Sequence, residues 1–182
     1  EVVPEALRFM TDAQESDKPF FVWLNTTHMH FRTHIKDGSR GRAGRWQSEY
    51  HDTMCDHDDL VGSVLDHLDE NGLADNTIVI FFNDNGGTAG VNFFNAGMRA
   101  RKTQYYDGGH RAACFIRYPG GKLAPREIDD LAEVQDLLPT LLDLCGLEKP
   151  SAAKFDGMSL APALRGGSKP SQLTERTLVV QY

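Results

Sequence analysis

The sequence has few cysteines, no long basic run and no long apolar run, and each absence excludes a class of protein. Cys55, Cys114 and Cys145 are widely separated and odd in number, which excludes a disulfide framework and a zinc-binding spacing. We expect these residues to be small, buried apolar side chains. The net charge is −7, and no stretch of Lys and Arg is long enough to indicate nucleic-acid binding. No apolar stretch approaches the length of a membrane span.

The sequence also lacks an initiator Met and a signal segment. It opens directly on a helical pattern, and its last residues, Thr177 to Tyr182, are typical of a strand cut while still in progress. We therefore expect a fragment of a longer protein, truncated at both ends. The 182 residues suffice for one domain or a large piece of one. A dense basic cluster from Arg40 to Arg45 predicts a solvated loop, with anion binding as the alternative.

Helical and strand patterns alternate along what is present. Apolar stripes at helical spacing predict the helices, and unbroken runs of β-branched and aromatic residues predict strands that are buried. Ser48 is an expected N-cap, and Gly72 and Gly146 are expected helix stops. The alternation predicts an α/β layered fold with a largely parallel sheet. The predicted elements are helices at Val2–Gln14, 48–72 and 136–146, and strands at Phe20–Leu24, Ile78–Phe82 and Ala112–Tyr118.

The end of the strand Ile78–Phe82 carries the most informative residues. The apolar run stops on Asn83, then on Asp84 and Asn85, followed by two glycines. Ligands of open α/β folds bind at the carboxyl edge of the sheet, where such a strand would deliver two hard oxygen donors. Oxygen donors of this type suit Ca²⁺ or Mg²⁺ rather than zinc. A plain turn is the alternative, because Asp, Asn and Gly are also turn residues.

Six short motifs follow one another in a fixed order over most of residues 17–166. Together they resemble the carboxyl-terminal half of the catalytic domain of type I sulfatases, the arylsulfatase family of the alkaline phosphatase superfamily. The resemblance implies an incomplete alkaline-phosphatase-like α/β/α sandwich at residues 1–166, with a linker and the first strand of a small truncated subdomain at 167–182. The motifs are Lys18-Pro19-Phe20-Phe21 with the strand that leads to His30, Asp75-Asn76-Thr77 with the strand that leads to Asp84-Asn85-Gly86, Lys102 to Arg111, Ile116 to Gly120, Asp136 to Asp143, and Asp156 to Leu160.

The resemblance implies a sulfate-ester hydrolase with one divalent cation, usually Ca²⁺, with Mg²⁺ as the alternative. Asp84 and Asn85 match two metal ligands of the family, and Lys102 matches the lysine that contacts the sulfate. His30 is the best match for the histidine that binds the substrate and protonates the leaving alcohol. These residue types suit sulfuryl transfer, in which charge spreads over the equatorial oxygens and is stabilised by nearby cations. Imidazole can supply a proton near neutral pH.

Each assignment has an alternative. Lys102 stands beside Arg99 and Arg101 and could be one of several solvated cations. The family often has Pro two residues after its histidine, whereas Arg32 stands there in this chain, and His28 or His34 could be the functional imidazole instead. His110, which follows the Gly-Gly pair, is interpreted as a structural hydrogen-bonding residue. Further departures from the family pattern are Asp107 in place of Glu and Ala112-Ala113 in place of Val-Pro.

The nucleophile of the family is absent. It is a formylglycine made from the Cys or Ser of a Cys/Ser-x-Pro-x-Arg motif, and none of the three cysteines has that context. Two ligands also fall short of the six to eight oxygens that calcium takes. We expect the missing parts in an upstream segment and the isolated fragment to be inactive. The alternatives are a phosphonate monoester hydrolase or phosphodiesterase of the same superfamily and a non-catalytic fragment. The resemblance implies a small-molecule or carbohydrate sulfate ester as substrate and a periplasmic, secreted or lysosomal-type compartment. It leaves the oligomeric state open.

Overall fold

The computed structural model describes residues 2–28, 30, 33–46 and 48–179 of the chain. Among these residues, helices are spread along the whole chain and two short strands lie near its middle. The predicted strand at the end of the sequence falls partly on residues 180–182, outside the described residues. The helices are α1 (Val2–Glu15), α2 (Glu49–Glu70), α3 (Asp107–His110), α4 (Leu137–Leu144), α5 (Ala161–Leu164) and α6 (Ser171–Thr174), and the strands are β1 (Val79–Phe82) and β2 (Cys114–Arg117).

Helix α2 confirms its predicted start and stop signals. Ser48 is the N-cap of α2, and its side-chain oxygen accepts a hydrogen bond from the backbone N–H of His51 at 3.3 Å. Gly72 follows the helix with φ of +68°, the left-handed conformation that glycine adopts at helix ends. Thr11 of α1 lies beside His67 of α2, with Oγ1 and Nε2 3.4 Å apart. The two helices therefore pack against each other at this point.

The two strands pair in an antiparallel ladder, from Val79 opposite Arg117 to Phe82 opposite Cys114. The α/β class is confirmed, and this pair is antiparallel, in contrast to the parallel arrangement expected for most of the sheet. Parallel neighbours need a long crossover, usually a helix. The connection from 83 to 113 instead contains only one-turn elements, so the chain can return alongside β1 in the opposite direction.

The prediction of a buried strand at Phe20–Leu24 is wrong for the described chain. These residues form no strand, and Phe21 and Trp23 are 69% and 60% exposed. Trp23 nevertheless lies beside β1, with its ring 5.8 Å from that of Phe82 in an edge-to-face arrangement. An apolar run predicts burial only if other elements cover it, and the described residues leave these two rings uncovered.

A buried hydrophobic cluster lies in the second half of the chain. Side chains of α4, α5 and α6 meet there, and Ile116 of β2 and Ile78, which directly precedes β1, pack against them. Leu173 belongs to this cluster, although it follows the predicted domain boundary at 166, which stays a prediction. The buried members of the cluster are Leu144, Leu160, Ala161, Ala163, Leu164 and Leu173.

A fully buried carboxylate at the start of α4 organises the same region. Asp136 accepts hydrogen bonds from the Arg176 guanidinium at 2.7 and 3.0 Å. It also accepts the backbone N–H groups of Glu133 at 2.8 Å and Met158 at 2.9 Å. Burial raises the pKa of Asp136, but these four hydrogen bonds outweigh burial, so its pKa lies below the usual range. The predicted helix of residues 136–146 is observed as Leu137–Leu144. Asp136, which directly precedes it, connects its start to Met158 and Arg176.

The predictions for the three cysteines and for the basic cluster from Arg40 to Arg45 need correction. Cys114 and Cys145 are exposed and Cys55 is half-buried, because β2 and the end of α4 present their cysteines outward instead of to the core. The basic cluster is not simply solvated. Arg42 donates hydrogen bonds to Asp56 at 2.6 Å and Asp59 at 2.7 Å, so carboxylates of α2 hold this loop against the helix.

No helix of the described chain is both long and apolar enough to cross a bilayer.

Candidate active site

Asp84 and Asn85 lie immediately beyond the carboxyl end of β1, as the sequence predicts. Asp84 is exposed and Asn85 is half-buried. Within the described chain neither side chain takes part in a hydrogen bond or an ion pair, so their oxygens are free to bind a ligand. We call residues 83–87 the strand-end loop.

The strand-end loop is held in place by backbone contacts with the segment around α3. The N–H of Asn83 donates to the carbonyl of Ala113 at 3.1 Å, and the N–H of Gly86 donates to that of Gly109 at 3.0 Å. A methyl group at Gly86 would lie only 2.7 Å from the carbonyl carbon of Gly108. Glycine at this position thus permits two backbones to touch.

The same loop fixes the position of Lys102. Its backbone N–H donates to the carbonyl oxygen of Gly87 at 3.0 Å, and its side chain is half-buried. The backbone around it is strained, since Ala100 and Thr103 have φ of +72° and +75°. Positive φ is a true outlier for a β-branched residue such as Thr103, and such strain clusters at functional sites. The tertiary structure therefore brings Lys102 next to the loop that carries Asp84.

Lys102 differs from the arginines on either side of it. The guanidinium of Arg99 stacks over the ring of Tyr106, with its central carbon 3.5 Å from the ring centroid. Arg101 is exposed. Lys102 forms no ion pair in the described part of the chain, which leaves its ammonium group available. This arrangement favours a ligand-binding role for Lys102 over that of a solvated cation.

The three candidate histidines occupy different environments. His30 and His34 are exposed, whereas His28 is half-buried, and its Nδ1 is buried without a hydrogen-bond partner in the described residues. The carbonyl of His30 accepts a hydrogen bond from Thr33 Oγ1 at 2.9 Å. No hydrogen bond or ion pair among the described residues joins His30 to Asp84 or Lys102. His30 thus keeps an accessible imidazole on a segment held through its backbone.

His110 has a different environment from the one expected. Its Nδ1 is buried and has no hydrogen-bond partner in the described chain. Its Nε2 lies 4.0 Å from the Asp107 carboxylate, beyond hydrogen-bond distance. The interpretation of His110 as a structural hydrogen-bonding residue is therefore not supported by these contacts.

Sequence reasoning missed Thr26 and His57. They lie next to the stretch that carries His28 and His30, which we call the histidine segment. The hydroxyl of Thr26 contacts both the carbonyl of His28, at 2.8 Å, and Nδ1 of His57 in α2, at 3.1 Å. The ring of His57 also lies near Phe81 of β1, with centroids 6.1 Å apart. His57 falls one turn after Thr53 in the middle of a helical stripe, so the sequence offered no sign of its contact with Thr26.

The donor set fits a hard divalent cation as part of a larger site. Carboxylate and carboxamide oxygens are the ligands that Ca²⁺ and Mg²⁺ prefer. In the part of the chain that the structure describes, no group of three or more His, Cys, Asp or Glu side chains could hold a metal. Asp84 and Asn85 can therefore supply two ligands, and the remaining ligands must come from water, substrate or other segments.

Comparison with known proteins identifies close relatives. A protein-family model described as Sulfatase matches residues 1–147. Human arylsulfatase A is 34% identical over 173 residues, which represent 90% of this chain and 32% of the relative. This chain spans about a third of the length of the curated relatives that it matches.

Solved structures resemble the fold. Ps i-CgsB in complex with k-i-k-neocarrahexaose matches with a TM-score of 0.77 and 26% identity, over 89% of this chain and 37% of the other. The phosphonate monoester hydrolase SpPMH from Silicibacter pomeroyi matches with a TM-score of 0.53 and 32% identity, over 66% of this chain and 22% of the other.

Proposed function

Because this chain belongs to the sulfatase family, we propose that it forms part of the catalytic domain of a hydrolase that cleaves sulfate monoesters to an alcohol and inorganic sulfate. One observation carries the proposal beyond family membership. The backbone hydrogen bonds Gly86–Gly109 and Lys102–Gly87 link the loop that carries two oxygen donors to the backbone of a half-buried lysine. A sulfate ester requires this combination, because its charge must be met by cations from more than one side.

Asp84 and Asn85 are the proposed ligands of a divalent cation, with Ca²⁺ preferred and Mg²⁺ as the alternative. When bound, such a cation polarises a sulfate oxygen and stabilises the charge that develops on it. The contribution of this chain is to fix the two oxygens. β1 delivers them, and the contact between Gly86 and α3 prevents the loop from shifting.

Lys102 is proposed to bind the sulfate oxygens directly. Its ammonium group is a compact positive charge with three hydrogen-bond donors. The hydrogen bond from its backbone to Gly87 ties its position to that of the metal ligands. Substrate and cation are thereby held in a common frame, which lowers the cost of orienting them.

His30 is proposed to bind the substrate and to donate a proton to the leaving alcohol. An alkoxide is a poor leaving group unless it receives a proton, and general acids of this type contribute about 10²–10⁴-fold to rates. His30 is exposed and can approach a bound ester, whereas His28 is half-buried and its Nδ1 is buried. This contrast favours His30 over His28, and the family pattern favours it over His34.

The nucleophile is proposed to be a formylglycine on sequence outside these 182 residues. That group supplies the oxygen that attacks sulfur. The substrate class is proposed to be a small-molecule or carbohydrate sulfate ester, since a structural relative was solved with the oligosaccharide k-i-k-neocarrahexaose. By family resemblance, the compartment is proposed to be periplasmic, secreted or lysosomal.

Hydrolysis of phosphonate monoesters is the second candidate function. The similarity to the phosphonate monoester hydrolase SpPMH, at 32% identity, supports it. Sulfate and phosphonate monoesters both present anionic oxygens, so the strand-end loop and Lys102 suit either. The family model described as Sulfatase and the 34% identity to human arylsulfatase A over 90% of this chain favour the sulfatase function.

The test compares aryl sulfate and aryl phosphonate esters of the same phenol with the full-length enzyme. We expect the sulfate to have the higher kcat/KM, and a preference for the phosphonate would overturn the sulfatase proposal. Asp84→Ala should abolish the activity that added Ca²⁺ supports. Asp66→Ala is the matched control, since it removes an exposed carboxylate of α2 that lies outside the site and should leave activity unchanged.

A further inference from the structure

A single hydroxyl group joins α2 to the histidine segment. Thr26 Oγ1 lies 2.8 Å from the carbonyl oxygen of His28 and 3.1 Å from Nδ1 of His57. A carbonyl oxygen can only accept, so the one proton of the hydroxyl goes to His28. The hydroxyl must then accept from His57, which therefore carries its proton on Nδ1.

The environment of His57 supports this neutral tautomer. The ring is half-buried between α2 and β1, close to Phe81. Burial lowers the pKa of His57, and the neighbouring His28 lowers it further. A neutral His57 with a proton on Nδ1 is a fixed donor to Thr26, since the other ring nitrogen cannot reach the hydroxyl without a flip of the ring.

The histidine segment needs such support because no strand ladder holds it. Residues 20–28 belong to no helix or strand of the described chain. The Nδ1 of His28 is buried and has no hydrogen-bond partner among the described residues, so this nitrogen does not secure the segment there. The described hydrogen bonds to this segment instead reach its carbonyls, from Thr26 to His28 and from Thr33 to His30. His30 lies two residues beyond the carbonyl that Thr26 holds.

We propose that Thr26 and His57 are positioning residues, which orient the His30 segment so that its imidazole can protonate the leaving alcohol. The chain of contacts runs from α2 through His57 and Thr26 to the backbone of His28. This inference rests on the proposed function of His30. A positioning role predicts a specific dependence of the rate on the leaving group, because loss of proton donation slows hydrolysis of esters of basic alcohols far more than that of esters of acidic phenols.

The experiment uses the full-length enzyme and a series of aryl and alkyl sulfates whose alcohols span a wide range of pKa. Thr26→Val keeps the shape of the side chain but removes the hydroxyl, and Thr26→Ser restores it. We expect Thr26→Val to lower kcat about tenfold or more for the most basic alcohols, with little effect for 4-nitrophenyl sulfate and little change in KM. Thr26→Ser should behave as the wild type. His57→Leu should reproduce the loss and provides a second variant if Thr26→Val fails to fold.

The chain offers a matched control. Thr11 of α1 contacts His67 of α2 through its hydroxyl, also while donating to a backbone carbonyl, that of Leu7 at 3.1 Å. Thr11→Val should therefore have a similar effect on thermal stability but no dependence on the leaving group.

His30→Ala separates the inference from the function on which it rests. If His30→Ala discriminates between alcohols while Thr26→Val and His57→Leu slow all esters equally or none, the positioning role is overturned and the acid role of His30 stands. If His30→Ala shows no such discrimination, its acid role is wrong and the positioning role falls with it. If the wild type cleaves no sulfate ester, the proposed function itself is wrong.

Discussion

Replacement of Gly86 by Ala tests whether backbone contact with α3 sets the geometry of the proposed metal site. The strand-end loop carries Asp84 and Asn85, and the next residue touches the backbone of Gly108 and Gly109. Any side chain at Gly86 must push the loop and α3 apart. The two proposed metal ligands would move with the loop, because Asn85 precedes Gly86 directly.

The size of the effect follows from the contact distances. A methyl carbon at Gly86 would lie 2.7 Å from the carbonyl carbon of Gly108 and 2.9 Å from that of Gly109. The carbonyl oxygen of Gly108 would lie closer still. Carbon atoms in favourable contact are about 3.5–4.0 Å apart, so the loop must shift by at least about 1 Å. A displacement of about 1 Å in a catalytic site can cost about 10²-fold in rate. We therefore expect Gly86→Ala to reduce kcat/KM about 10²-fold and to weaken the affinity for Ca²⁺.

The assay measures hydrolysis of an aryl sulfate by the full-length enzyme over a titration of Ca²⁺. Gly62→Ala is the control, because Gly62 lies inside α2 and a methyl group there would meet nothing within 4 Å. That variant should be more stable by about 0.5–1 kcal/mol, as Ala is the better helix former, with an unchanged rate. Native kcat/KM and native Ca²⁺ affinity in Gly86→Ala would refute the proposed role of the contact.

Three further predictions concern single side chains of the full-length enzyme. Lys102→Ala should lower kcat by at least the 10²–10³-fold typical of one lost transition-state donor, whereas Lys36→Ala, which removes an exposed lysine, should not; near-normal rates in Lys102→Ala would contradict its assignment. Asp136→Asn should destabilise the protein at pH 7 by about 3–5 kcal/mol in chemical denaturation, since Arg176 is left buried without its partner. The folded-state pKa of Asp136 is lowered, so the stabilisation by its carboxylate is full above the unfolded pKa of about 3.9 and disappears as the pH falls through the folded value. A difference in the free energy of unfolding between the wild type and Asp136→Asn that persists below that range would argue against the ion pair. Ser48→Ala should cost about 1 kcal/mol through loss of the N-cap of α2, and an unchanged melting temperature would exclude that role.

The ends of α2 and the stop after α4 could be predicted because their causes are local. A serine that accepts from a backbone N–H three residues later, and glycines that adopt positive φ, act within a few residues of the chain. The position of Asp84 and Asn85 after β1 has the same local origin, since an apolar run ends where the polar residues begin. The exposure of Phe21 and Trp23 could not be predicted in this way, because burial of an apolar run depends on which other elements cover it.

The sequence by itself determined where α1, α2 and α4 lie, which residues carry oxygen and ammonium groups, and the family to which their order belongs. The tertiary structure alone decided which of these residues meet. Gly86 and Gly109 are 23 positions apart, and only the return of the chain as an antiparallel strand brings them into contact and draws Lys102 to the same loop. Likewise, His57 of α2 contacts Thr26 from a distant part of the chain, and no periodicity in the sequence records a contact made between two separate segments.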